Sequence, residues 1–166
     1  YGFCGATLSS NIIHFYKDLD DPQSQEWKWK TAISVPPKEV EGWLLPSMPG
    51  LITDILISLD DKFLYFGNWL QGDVRQYDIS DPFSPKLTGQ VFLGGSIRKG
   101  SHVIVKGEEQ PEVPTVKGHI LHGGPQMIQL SLDGKRLYVT NSLFSIWDKQ
   151  FYPDLVKNGS YMLQLL

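Results

Sequence analysis

Three runs of strand-forming residues, separated by short polar breaks, occupy the middle of the chain. The first, Ile52 to Ser58, is apolar at most positions, which is typical of a strand covered on both faces. The second, Phe63 to Asn68, is rich in aromatic residues, and the third, Val74 to Ile79, alternates polar and apolar residues. The short breaks favour antiparallel hairpins. Together the three runs predict a sheet with buried inner strands and a half-exposed outer strand, as in a β-propeller blade.

Similar patterns lie on both sides of this stretch. Gly2 to Ser9 and Ile12 to Lys17 predict a hairpin, and Glu26 to Val35 predicts a long edge strand that two prolines end. The segment Gly42 to Gly50 has no periodicity and predicts a loop. Leu87 to Leu93 predicts a fourth strand that completes the central sheet.

One hairpin pattern occurs twice. The segment Ser58 to Asn68 aligns without gaps with Ser131 to Asn141, including the S-L-D-x-K break. We therefore expect Met127 to Ser131 and Leu137 to Asn141 to pair as the first copy does. The alternative is a chance similarity of two hairpins. The repeat favours one supersecondary unit used in successive propeller blades.

These patterns predict an all-β fold in four parts. Residues 1–41 are expected to end one blade, and residues 42–95 to form one whole blade. Residues 96–124 are rich in glycine and proline and predict a long loop. Residues 125–166 are expected to begin the next blade.

The composition narrows the classes of function. The chain of 166 residues is 41% hydrophobic and 20% charged, with a formal net charge of -3, which is typical of a globular protein. Its basic residues are scattered, so the sequence indicates neither a nucleic-acid nor an acidic-lipid partner. Cys4 is the single cysteine, which excludes an internal disulfide. No apolar run is long enough for a transmembrane segment, and the start, without methionine, suggests a segment of a longer protein.

Five long strings carry a resemblance to a known family: Gly42 to Pro46, Met48 to Leu56, Arg75 to Pro82, Gly123 to Ile128 and Trp147 to Pro153. Through them the chain resembles the selenium-binding protein family, whose characterised members are methanethiol oxidases. The resemblance implies a C-terminal portion of a seven-bladed β-propeller-like fold with antiparallel four-stranded blades. It also implies copper as cofactor, and the oxidation of methanethiol with oxygen and water to formaldehyde, hydrogen sulfide and hydrogen peroxide.

The sequence departs from the family pattern at two places. The family commonly reads W-L-H-G-D where this chain has glutamine at position 71, so Gln71 replaces a histidine suited to metal ligation. Cys4 lies two residues before Ala6, where many relatives carry a cysteine. The cysteine that the family uses for selenium lies in its N-terminal part, outside this sequence, so we expect no selenium site here.

Two further polar residues are candidates for a metal site. Asp54 interrupts an apolar strand, and Gln126 takes the matching place before the repeated strand, near the expected mouth of a propeller channel. With Gln71, they are the candidate metal-site residues, and Asp54 could orient a metal-bound histidine from another blade. Alternatively, Asp54 caps a neighbouring loop through backbone N–H groups. The sequence identifies no catalytic residue.

The histidines give weaker indications. His119 and His122 are three residues apart near a pair of glycines, and two imidazoles at a loop mouth could bind copper or zinc. The alternative is two exposed loop histidines, since a site needs three or four ligands. His14 lies on a predicted strand, where we expect a half-buried surface position.

Two functions remain open from the sequence. The first is an oxidase acting on a small thiol and oxygen, for which this segment supplies scaffold and channel wall. The alternative is a non-catalytic propeller that binds protein partners on its rim, or serves intra-Golgi transport. The resemblance implies a cytosolic location, with the nucleus and a peripheral membrane association as further sites.

Overall fold

The computed structural model describes residues 1–18, 20–21 and 23–166. In this part of the chain, most regular structure is antiparallel strand, arranged as three larger sheets and a set of short strand pairings. The all-β fold class is thereby confirmed. Neither helix formed by the described residues is long and apolar enough to cross a membrane.

The first sheet is a meander of β1 (Gly2–Ala6), β2 (Asn11–Lys17) and β3 (Trp27–Ser34). The predicted hairpin and the long edge strand are both confirmed. A bulge at Ile12 and Ile13 shifts the register between β2 and β3. After β3, the chain forms β4 (Lys38–Glu41) and β5 (Ser47–Met48), which pair with each other. The loop predicted for Gly42 to Gly50 is therefore wrong at Ser47 and Met48.

The central sheet contains β6 (Ile52–Ile57), β7 (Phe63–Asn68), β8 (Asp73–Asp78) and β9 (Lys86–Phe92) in sequence order. Every neighbouring pair is antiparallel. All four predicted strands are confirmed. Proline and aspartate after β8 end that strand, and Ile79 N donates to Lys62 O at 2.8 Å to close the sheet at that end.

The segment predicted as one long loop, 96–124, contains short strands. β10 (Ile104–Val105) pairs with β4 and extends the small sheet to the order β10-β4-β5. β11 (Thr115–Val116) and β12 (His119–Ile120) form a separate hairpin. The prediction of a long loop is wrong at these three strands, because runs of two residues carry no periodicity that a sequence pattern could reveal.

The third sheet contains β13 (Ile128–Leu130), β14 (Leu137–Thr140) and β15 (Met162–Leu165). Between β14 and β15 lie two helices that the sequence analysis missed, α1 (Ser145–Phe151) and α2 (Pro153–Asn158). Each is under two and a half turns, too short for a helical hydrophobic period. The signal that was available is the proline that begins α2 and Gly159, with φ of 86°, that ends it.

The first strands of the three larger sheets are neighbours, since β6 contacts both β1 and β13. The central sheet is consequently covered on both faces, as its apolar pattern predicted. On one face Leu64 packs with Ile12 of the first sheet, and on the other Val74 packs with Val139 of the third. In the described residues the first and third sheets have three strands each, so the four-stranded arrangement is confirmed for the central sheet alone.

The two copies of the repeated hairpin use the same turn. In the first, Ser58 Oγ donates to Asp60 Oδ1 at 2.6 Å and accepts from Phe63 N at 2.9 Å. The second copy makes both bonds again, with Ser131, Asp133 and Arg136 in the corresponding places. The predicted repeat is confirmed in pairing and in turn chemistry.

Candidate functional site

Asp54 lies at a bulge in β6, where the register against β7 shifts. Its Oδ2 accepts a hydrogen bond from Ile128 N at 2.8 Å, and its Oδ1 accepts one from Ile55 N at 2.9 Å. Both carboxylate oxygens thus bind backbone N–H groups, and one of these bonds joins β6 to β13. This is the backbone contact that the capping alternative requires, made to a strand rather than to a loop.

Gln126 lies beside Asp54 at the same junction. Thr53 Oγ1 donates to the carbonyl oxygens of Pro125 and Gln126, both at 3.1 Å. The side-chain oxygen of Gln126 accepts from Thr140 Oγ1 at 3.4 Å. The structure therefore brings Asp54 and Gln126 together as parts of the seam between the central and third sheets.

Gln71 occupies the tight turn between β7 and β8 and is 1% exposed. Its Nε2 donates to Pro36 O at 3.1 Å, in the segment that follows β3. Its hydrogen bond therefore runs toward the first sheet, whereas Asp54 and Gln126 join β6 to the third. The turn is closely packed, because a Cβ on Gly95 would lie 2.6 Å from Gln71 O.

A buried charge network begins two residues after Gln71. Asp73 is fully buried, and its carboxylate accepts from Arg75 Nε at 2.6 Å, Asn68 Nδ2 at 3.0 Å and Gln90 Nε2 at 2.7 Å. These partners come from three neighbouring strands, so the network locks the ends of β7, β8 and β9. Sequence reasoning missed it, although an acid directly after a tight turn was the available signal.

The candidate metal residues do not make a copper site by themselves. Copper in proteins is bound chiefly by imidazole, thiolate and thioether groups, whereas these three residues offer a carboxylate and two amides that already make hydrogen bonds. Within residues 1–18, 20–21 and 23–166, no group of three or more His, Cys, Asp or Glu side chains is placed to hold a metal ion.

The structure pairs the loop histidines differently from the sequence prediction. His119 is exposed on β12, and His122 instead lines a cavity of about 190 Å³ that His102 also lines. Arg98 lies in the wall of the same cavity. The alternative of an exposed loop histidine holds for His119. No sequence signal indicates the pairing of His102 with His122, because they belong to separate loops that meet only in the folded chain.

His14 is fully buried, so the expectation of a half-buried surface position is wrong. Its ring stacks on Phe3 with centroids 4.8 Å apart and meets Phe83 edge-on at 4.9 Å. Neither ring nitrogen has a hydrogen-bond partner among the described residues. Burial, and then the charge of Lys30, lower the pKa of His14 below its ordinary value of 6.5.

The two helices close the end of the sheets where the Gln71 turn lies. The Trp69 ring meets Tyr152 edge-on with centroids 4.9 Å apart, and Tyr152 OH donates to Trp69 O at 2.5 Å. Asp148 stabilises the entry to α1, because its carboxylate accepts from Ser142 Oγ at 2.6 Å and from Leu143 N at 3.2 Å. The family-like string that begins at Trp147 therefore meets the W-L-Q-G-D segment around Trp69 in one cluster.

A family model with the description "56kDa selenium binding protein (SBP56)" matches residues 1–166. The chain belongs to the SBP56 family. It is 64% identical over 168 residues to a methanethiol oxidase from Homo sapiens, covering 99% of this chain and 35% of that protein. It is 61% identical to selenium-binding protein 3 from Arabidopsis thaliana, covering 99% of this chain and 34% of that protein. The SBP56 chain thus spans about a third of the length of these relatives.

A solved structure supports the same assignment. The X-ray structure of a hypothetical selenium-binding protein from Sulfolobus tokodaii superimposes with a TM-score of 0.72 at 41% sequence identity. The alignment covers 96% of the SBP56 chain and 32% of the other. The resemblance inferred from the five strings is confirmed.

Proposed function

We propose that the protein carrying this sequence is a methanethiol oxidase, which converts methanethiol, oxygen and water to formaldehyde, hydrogen sulfide and hydrogen peroxide. The observation that carries the proposal is sequence identity over 99% of the chain with several relatives named methanethiol oxidase, at 64% for one from Homo sapiens and 62% for one from Xenopus laevis. The reaction balances with a small thiol, oxygen and water as its reactants.

In this proposal the three sheets are successive blades of a seven-bladed propeller. Three features support it: the sheets are meanders, their first strands lie side by side, and the central sheet is packed on both faces. The segment then contributes scaffold and part of a channel wall, formed where Asp54 and Gln126 join two inner strands.

Copper is part of the proposal through the family resemblance. The described residues do not form a copper-ligand set, so we propose that copper is held chiefly by residues outside this segment, and that position 71 can add a ligand only when it carries histidine. We also propose that the protein is cytosolic, with further populations in the nucleus and peripherally associated with membranes. Cell fractionation tests this location.

The deciding experiment uses the protein at the full length of its relatives. Methanethiol consumption is followed together with formaldehyde, sulfide and peroxide, and metal content is measured on the same preparation. Stoichiometric formation of all three products supports the oxidase. A metal-free protein without turnover contradicts it, and supports a scaffold that binds protein partners on its rim or serves intra-Golgi transport.

A further inference from the structure

Two loops and the joint between the two helices form the cavity of about 190 Å³ that His102 and His122 line. Its floor contains Tyr152 and Leu155, which are 7% and 2% exposed. The volume is well below the roughly 300 Å³ at which sites for drug-sized ligands begin. The cavity therefore suits a small ion or group.

The walls are held by backbone and side-chain hydrogen bonds. Gly95 N donates to Gly123 O at 2.8 Å, which joins the two loops, and Asn141 Nδ2 donates to His122 O at 2.6 Å. Gln110 Nε2 donates to the carbonyl oxygens of Arg98 at 3.2 Å and Val103 at 2.9 Å, which fixes the loop carrying Arg98 and His102. The side chains around the cavity are thus presented from a fixed frame.

Arg98 brings to the cavity a positive charge that makes no ion pair with a described carboxylate. Asp154 also lines the cavity, but its carboxylate lies 3.5 Å from Lys157 Nζ. The neighbouring Lys99 is engaged elsewhere, by Glu109 and Glu112.

We propose that Arg98, His102 and His122 form a binding site for a small tetrahedral oxyanion of the phosphate class. A guanidinium presents a planar fork of donors that matches phosphate oxygens. Imidazole N–H groups add donors, and Ser96 lines the same cavity. The positive charge of Arg98 opposes binding of a cation beside it, so the two histidines here point to an anion rather than a metal.

The test is an NMR titration of the protein with inorganic phosphate at constant ionic strength. We expect saturable shifts at the amides of Gly95, Ser101 and Gly123, which line the cavity. Arg98→Gln should weaken phosphate binding at least tenfold, because a hydrogen bond to a charged group is worth about 1.5 kcal/mol or more. Arg98→Lys keeps the charge but not the planar fork of donors. Its phosphate affinity should therefore lie between those of the unmodified protein and Arg98→Gln.

Lys99→Gln is the matched control, since it removes the same charge one position away but does not line the cavity. It should change phosphate affinity less than twofold. His102→Gln, at an exposed position that folding tolerates, should weaken binding several-fold. The proposal is overturned if no saturable shift occurs, if Arg98→Gln and Lys99→Gln weaken binding equally, or if acetate binds as tightly as phosphate.

Discussion

Tyr152 OH donates a hydrogen bond to the main-chain oxygen of Trp69 at 2.5 Å, which fastens the helical segment to the turn between β7 and β8. Tyr152 is buried, and burial raises the pKa of its phenol. The bond spans 83 positions in sequence. It explains why the aromatic residues around Trp69 and around Tyr152, far apart in the chain, belong to one structural unit.

Removing the Tyr152 hydroxyl tests whether its hydrogen bond to Trp69 stabilises the folded chain. Tyr152→Phe keeps the ring packing but leaves the Trp69 carbonyl without its donor, so the free energy of unfolding should fall by about 1–3 kcal/mol. Urea denaturation measures the change. Tyr161→Phe removes a hydroxyl from a less buried tyrosine and serves as control. Equal stability of Tyr152→Phe and the unmodified protein would contradict the role given to the bond.

The two repeated turns differ at one position. Asp61 and Gly134 occupy corresponding places, with φ of 57° and 67°. Left-handed backbone costs a residue with a side chain about 1 kcal/mol relative to glycine. Asp61→Gly should therefore raise the free energy of unfolding by about 1 kcal/mol, and Gly134→Ala should lower it by a similar amount. Changes of the same sign in urea denaturation would show that the turns are not equivalent.

A substitution at Asp54 distinguishes a structural role between two sheets from a role in metal binding. Asp54→Asn weakens the charge-assisted bond to Ile128 N, so the free energy of unfolding should fall by about 1–2 kcal/mol. Copper stoichiometry of the full-length protein should stay the same. Asp61→Asn, at an exposed turn position whose left-handed backbone asparagine tolerates, is the control for loss of one negative charge. Lower copper content with unchanged stability would instead assign Asp54 to metal binding.

His14 makes stability depend on pH. Its lowered pKa keeps the ring neutral in the folded chain, whereas the unfolded chain takes up a proton near the ordinary value of 6.5. The free energy of unfolding should therefore fall as the pH drops below about 6.5. His14→Phe should remove this dependence and add about 1–3 kcal/mol, because two buried nitrogens without partners disappear.

Thermal unfolding at pH 7.5 and pH 5 checks this prediction. The same substitution at His119, which is exposed, should leave the pH dependence intact. The prediction is wrong if His14→Phe unfolds at a lower temperature than the unmodified protein at both pH values.

Gln71→His restores the residue that the family pattern carries. An imidazole can donate one N–H to Pro36 O, as the amide does now, and keep the lone pair of its other nitrogen for a metal. In the full-length protein we expect about tenfold tighter copper binding and a higher oxidase rate. Copper titration decides between a ligand and a structural hydrogen bond. Gln129→His, at an exposed position on β13, controls for adding an imidazole. Equal copper affinities in all three proteins would remove Gln71 from the metal site.

The sheets could be predicted because their signals are local. The paired patterns around Asp60 and Asp133 set strand, turn and register within eleven consecutive residues, and the structure repeats both. The helices could not be predicted, since they depend on packing against Trp69 rather than on a period of their own. His14 was misjudged for a related reason: Phe83, which covers it, arrives from another sheet.

The cavity site lay furthest from what sequence alone can reveal. Arg98, His102 and His122 share no spacing rule, and they meet only because glycines allow the loops to touch. A Cβ on Gly94 would lie 2.0 Å from Gly123 O, so no side chain fits between these loops. The candidates chosen from the family pattern and from polar interruptions of apolar strands, Gln71, Asp54 and Gln126, lie instead at contacts between sheets or their connecting segments.

The meander order of the sheets has a consequence for synthesis. Each strand of the three sheets pairs with a strand that is its neighbour in sequence within that sheet, so each sheet can form as soon as its own residues leave the ribosome. The bond from Ile128 N to Asp54, 74 positions apart, then joins two sheets that have already been made. The chain can therefore mature vectorially, with each new sheet assembling against the finished face of the previous one.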